Sequence, residues 1–200
     1  MSQHPVPIDL ETTGLHPADD AILEFAMLLV DRDLKLISSF GSRVVHASEA
    51  KLARMNDYVR EMHTSNGLLD EVRASSLTLA DVDEEAATWL FGQGVGTPSG
   101  EPGIILGSSC RLDLYMIELQ MPKLASLLSH RMIDVSGFRE TLALYAPEVE
   151  LPKAANKTAA PFGAHRALSD IGQTLIEAHQ QRAAVCHQLQ SQDDSSSSHS

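Results

Sequence analysis

"PIDLETTGL", residues 7–15, places Asp9 and Glu11 two positions apart in an apolar run that then turns on Thr-Thr-Gly. Side chains of a strand alternate between faces, so these two acids share one. Like charges on one face repel unless something positive lies between them. Either this is a solvated edge strand carrying two unrelated acids, or its acids converge on a cation supplied by the rest of the fold.

Working outward, "ILEFAMLLV" (22–30), the turn "DRD" and "LKLISSFGSRVV" (34–45) read as a hairpin following the first strand. Residues 50–75 turn polar and helical. Residues 78–91 carry Leu79, Val82, Ala86, Trp89 and Leu90 at helical spacing behind a Thr78 cap, which puts Trp89 in the core. "GQGVGTPSGEPG" (92–103) is a surface loop; no Lys-Ser/Thr and no helix follow it, so it is not a phosphate loop. "IILG" (104–107) and "RMIDVS" (131–136) are strand candidates. Helices are expected from Leu112 to Leu128, over 137–146 up to Pro147, and over 166–188 with Ala167, Ile171, Leu175 and Ala178 on one stripe. Residues 148–164, with Lys153 and Lys157, are expected as a loop. This order predicts one α/β domain over 1–188, a mixed five-stranded sheet flanked by helices, then a disordered serine-rich tail over 189–200.

The bulk properties narrow the function classes. The chain has 200 residues, 43% hydrophobic and 21% charged, ordinary for one soluble globular domain. A formal net charge of −12 argues against a broad basic surface for long duplex nucleic acid. A nucleic-acid substrate would be short, or held by metal ions and a few local cations. Cys110 and Cys186 lack metal-ligand spacing and suit a reducing compartment. No apolar run reaches the roughly 18 residues of a membrane span. "MSQHPVPIDL" shows neither a signal-peptide core nor an arginine-rich transit helix. The expected location is cytoplasmic, or mitochondrial if a leader is missing.

Two further acids stand in unusual settings. Asp113 falls in the first turn of a helix just after "IILG", where an acid also favours the helix dipole. Asp170 follows His165 in "HRALSD" near the start of the last helix. The two cannot point the same way from one regular helix, so His165 is expected on the preceding loop, leaning over a site that holds Asp170. Four carboxylates suit Mg²⁺ or Mn²⁺, which prefer oxygen ligands, over zinc. Two such ions activate a water and stabilise the leaving oxygen of a phosphodiester, and a histidine takes up the proton.

At these residues the chain resembles the DEDDh family of 3′→5′ exonucleases, and within it the oligoribonucleases. The first motif is Asp9-Leu10-Glu11-Thr12-Thr13-Gly14-Leu15, the second Asp113, the third His165 with Asp170. "MNDYVREMHTSNGL", "GSSCRLDLYMIELQMPKL" and "HRMIDVS" look like the oligoribonuclease segments around them. The resemblance implies an RNase H-like fold, a homodimer, and two-metal hydrolysis of very short RNAs, chiefly dinucleotides, to mononucleotides. It implies metal at Asp9, Glu11, Asp113 and Asp170, with His165 as general base. Leu15 and Tyr58 would sandwich the bases, and His63 with Ser109 would hold the substrate end. Arg131, with His130 beside it, would be offered from the partner subunit to the terminal phosphate. The chain departs from the pattern at Thr12 (usually methionine), Tyr58 (usually tryptophan), Ser108 (usually asparagine) and His130 (usually tyrosine). Pro5 and Pro7 stand where the family has an apolar central strand, so pairing is expected to begin only at Ile8, or the strand to be weakened. Alternative readings are a DEDDh exonuclease acting on longer single strands, and a dimeric nucleotide-binding homologue with impaired catalysis.

Overall fold

The apolar runs form five strands, β1 (Pro5–Thr12), β2 (Ile22–Val30), β3 (Leu36–Val44), β4 (Gly103–Gly107) and β5 (Leu128–Asp134). The computed structural model describes residues 4–149, 151 and 165–197, and in it these strands make one sheet ordered β3-β2-β1-β4-β5. β1–β2 and β2–β3 pair antiparallel, β1–β4 and β4–β5 parallel. This is the mixed, helix-flanked sheet that the strand pattern implies.

The helices between β3 and β4 are α1 (Glu49–Leu52), α2 (Asp57–Ser65), α3 (Leu68–Ala74) and α4 (Leu79–Gly92). α5 (Arg111–Gln120) and α6 (Pro122–Ala125) follow β4, and α7 (Val135–Tyr145) and α8 (Ala167–Ser197) follow β5. α4 starts on a capping box in which Thr78 and Asp81 satisfy each other's backbone N–H groups. On one face of β2, Phe25, Met27 and Leu29 pack into a core with Val82, Ala86 and Leu90 of α4 and Ile117 of α5. Trp89, partly buried, packs against that core and the Phe40 ring. On the other face Ala26 meets Ala167 and Ile171 of α8, and the two alanines let the helix approach closely. Asp9 lies opposite Ala26 and Glu11 opposite Glu24, so both acids face the start of α8.

The prolines of β1 are accommodated by the side they face. The His4 carbonyl accepts from the Ile104 N–H at 3.0 Å, and alternation then turns the backbone positions of Pro5 and Pro7 toward β2. There, pairing begins at Ile8, opposite Met27, so their missing N–H groups interrupt no ladder. On the β4 side pairing already runs through Pro5, Val6 and Pro7. The expectation of a start at Ile8 therefore holds on one edge of the strand and fails on the other.

Two helix boundaries differ from the sequence reading. The helix expected from Leu112 to Leu128 ends at Gln120, because Pro122 forces Met121 out of the helical region to φ −129°, ψ 64°. The short α6 follows, and Leu128 already belongs to β5. The last helix continues through Ser197 instead of stopping at Gln188, into the segment expected as a tail. Once its packed first turns are held, each further residue adds a hydrogen bond at little extra ordering cost. Residues 198–200 and the expected loop positions Lys153 and Lys157 lie outside the described residues. Among the described residues, no helix is long and apolar enough to cross a membrane.

Candidate active site

The Thr-Thr-Gly turn after β1 is built around Asp20. Its carboxylate accepts from the Thr13 hydroxyl at 3.0 Å and the His16 N–H at 2.9 Å, while Thr13 Oγ1 accepts from the Ala21 N–H. A Cβ on Gly14 would come within 2.5 Å of an Asp20 oxygen, so only glycine leaves that carboxylate room. The turn thereby ends β1 and exposes Leu15, at 74% accessibility, on the wall of a cleft of about 860 Å³.

Asp9, Glu11 and Asp113 line this cleft. Glu11, His165 and Asp170 each bring one ligand atom to within 4.8 Å of the others. His165 sits on the residue pair before α8, as the spacing to Asp170 requires, with its Nδ1 4.0 Å from Asp170 Oδ2. Its φ of 29° lies in the left-handed region. Asp113, in the first turn of α5, accepts from the Leu10 N–H at 3.1 Å, which ties helix to strand. Burial pushes the Asp113 carboxyl up to about 6, against the lowering effect of backbone hydrogen bonds from its own turn and from Leu10. The carboxylate oxygens form a donor set that fits a hard divalent cation, with the His165 imidazole beside them, and a nearby cation reverses the burial cost at Asp113.

Tyr58, on α2, is 60% exposed and shares the cleft lining with Leu15. Ser109 lies at the rim with φ 57°; its N–H donates to Asp134 and Ser136, and the two serine hydroxyls are 3.0 Å apart. Burial raises the Asp134 carboxyl, but hydrogen bonds from Ser136, Gly137 and Ser109 outweigh it and hold the group below its ordinary value. His63 is fully buried and does not line the cleft. Its Nε2 is 3.0 Å from the Thr12 carbonyl and 4.0 Å from Glu11 Oε2, so it adjoins the Glu11 carboxylate without reaching the cleft surface. Burial lowers its pKa, and the Thr12 carbonyl opposes that effect. His130 and Arg131 lie on β5 in a separate concavity with Glu101 and Pro102, away from the cleft of their own chain.

Several residues of the site escaped the sequence reading. Glu24, 2% exposed, binds Arg166 through Nε at 2.9 Å and accepts from the Ala167 N–H, thereby seating the start of α8. A carboxylate inside "ILEFAMLLV" is the same anomaly as Asp9 and Glu11 and was the available signal. Asp20, Asn66 and Ser136 showed none, because each acts through partners that only folding brings near.

A model of the RNase T exonuclease family matches residues 6–178. An oligoribonuclease of Corynebacterium diphtheriae is 39% identical over 170 residues, covering 85% of this chain and 77% of the relative. One of Streptomyces griseus is 35% identical over 185 residues, covering 92% and 88%. Among solved structures, E. coli exonuclease I bound to a dA13 oligonucleotide superposes with a TM-score of 0.65 at 18% identity, over 90% of this chain and 40% of the larger one. A second exonuclease I structure gives 0.67 at 20% identity, again with 90% and 40% coverage. That likeness is one of fold, the RNase H-like fold. Three ordered acidic motifs, the approach of Glu11 to His165 and Asp170, and these relatives lead to one assignment: the chain belongs to the oligoribonuclease family of exonucleases.

Proposed function

We propose that this protein is a 3′→5′ exoribonuclease that hydrolyses very short RNAs, chiefly dinucleotides, to mononucleotides. The observation that carries the reading is that Glu11, which lines the cleft with Asp9 and Asp113, lies within 4.8 Å of ligand atoms of His165 and Asp170. Asp9, Glu11, Asp113 and Asp170 would hold two divalent cations, Mg²⁺ or Mn²⁺. Bound there, such ions supply an activated water and charge stabilisation of the leaving 3′ oxygen. His165 directs Nδ1 toward Asp170, which leaves Nε2 to accept the proton of the attacking water. Leu15 and Tyr58 flank the cleft with exposed apolar and aromatic surface on which two bases stack. Ser109 offers a hydroxyl at the rim for the far end of the substrate.

Within one chain the cleft has no contact with His130 and Arg131, so selectivity for short RNA rests on a homodimer in which a partner's Arg131 closes the far end. The acidic chain has little to grip a longer strand, which favours the same outcome. The fold itself also accommodates longer strands, as the exonuclease I complex with a 13-nucleotide DNA shows for that protein. Turnover of a 5′-labelled RNA dinucleotide and of a 20-mer, in Mn²⁺ and in EDTA, separates the readings. Metal-dependent release of mononucleotide from the dinucleotide, abolished in Asp113→Ala, is expected; equal rates on both lengths would favour the general exonuclease.

A further inference from the structure

His165 holds a left-handed backbone conformation that a residue with a Cβ rarely adopts, immediately before a helix and above the carboxylates. Such a conformation persists where surrounding contacts determine it. Here the contacts come from both sides. The His165 carbonyl accepts from Asn66 Nδ2 at 2.7 Å. Asn66 is itself fixed as the residue that ends α2, its side-chain oxygen accepting from the Leu68 N–H at 3.0 Å. On the other side, the Arg166 guanidinium forks between two carboxylates. It reaches Glu24 through Nε and Nη2 at 2.9 and 3.2 Å, and Glu71 through Nη1 and Nη2 at 2.9 and 2.7 Å. Glu24 also accepts from the Ala167 N–H at 3.2 Å and from the Ser42 hydroxyl at 2.5 Å.

We infer that Asn66, together with the Arg166–Glu24–Glu71 network, forms a clamp that positions His165 over the reaction centre, so these are positioning residues for catalysis. The clamp joins three elements: β2 through Glu24, the α2–α3 hairpin through Asn66 and Glu71, and the start of α8. Glu24 lies directly opposite Glu11 in the sheet, so the frame that fixes the histidine is the frame that fixes the carboxylate below it. Arg166 is suited to this task because its planar fork engages two carboxylates at once, which lysine cannot reproduce. None of the four clamp residues itself lines the cleft, so their effect on the reaction passes through the groups they hold, His165 first among them.

This inference rests on the proposed role of His165 as the base, and the test separates the two. Asn66→Ala and Glu71→Gln are compared with wild type and with Arg73→Ala, which removes a surface ion pair to Glu49 from the same hairpin. One readout is kcat and KM on the RNA dinucleotide, corrected for folded fraction by circular dichroism. The other is the chemical shift of the His165 ring protons in metal-free protein, assigned with His165→Gln. Expected is a fall in kcat of about 10- to 100-fold with KM within about threefold, and ring signals moving toward those of free histidine, in both clamp variants and not in Arg73→Ala. Glu71→Asp, which keeps a carboxylate for Arg166, should recover much of the loss. Unchanged ring signals, or moved signals with unchanged kcat, would overturn the clamp. If wild type fails to cleave dinucleotides while the ring signals still move in the variants, the clamp stands and the proposed activity does not.

Discussion

At the scale of single residues, the site combines acids whose costs differ. Burial pushes the Asp113 carboxyl up to about 6 in the folded, metal-free chain, above its ordinary 3.8. The folded state therefore holds this proton more tightly than the unfolded one, and the resulting stability is full below about pH 3.8 and lost as pH rises through about 6. A shift of this size corresponds to about 3 kcal/mol. In EDTA, Asp113→Asn should therefore remove a fall of that order between pH 4 and pH 7, read as the difference in urea-unfolding free energy against wild type; parallel pH profiles would contradict it. Gly14 answers to packing, not charge. Gly14→Ala drives a methyl group against the Asp20 carboxylate and is expected to cost about 1–3 kcal/mol in the same assay, with Leu15 displaced from the cleft wall and KM raised.

Among elements, the decisive contact is α8 against the sheet. Ala26 and Ala167 leave room for the helix to carry Asp170 up to Glu11. Ala167→Leu should lever the helix away, lowering stability by about 1–3 kcal/mol and Mn²⁺ affinity as well, both measurable by calorimetry. Undiminished Mn²⁺ binding would show that α8 is not the element that closes the site. The elements also show where local sequence suffices. The Thr78 capping box starts α4 and Pro122 ends α5, each acting over a few residues, although the apolar periodicity of 112–128 reads through that proline as one helix. Pro5 and Pro7 were harder to read, since their effect depends on which neighbour strand each backbone position faces.

For the whole molecule, the proposed selectivity is a property of two chains. Arg131 lies on β5 away from the cleft of its own chain, so Arg131→Ala should leave the one-chain site intact while raising KM for dinucleotides by about tenfold or more, as loss of a charged hydrogen bond predicts. Light scattering should find a dimer in wild type and variant alike. An unchanged KM, or a monomeric wild type at full activity, would place the end-binding group elsewhere. Exposed Met132, Ile133 and Phe138 around β5 and α7 supply apolar surface for such an assembly.

The sequence by itself determined the strand and helix alphabet, the order of the acidic motifs and the separation of His165 from the helix that carries Asp170. These are written in periodicity, caps and residue type, which act over one or two turns of chain. Only the tertiary structure decided that Glu24 and Arg166, 142 residues apart, bind each other, that His63 is buried beside Glu11, and that Asn66 holds the His165 carbonyl. The physical reason is that burial and ion pairing depend on neighbours brought together by the fold, and no local pattern records which neighbours those are. Asp9 and Glu11 share a face in any strand; that this face looks onto Asp170 and His165 follows from the packing of α8 over Ala26.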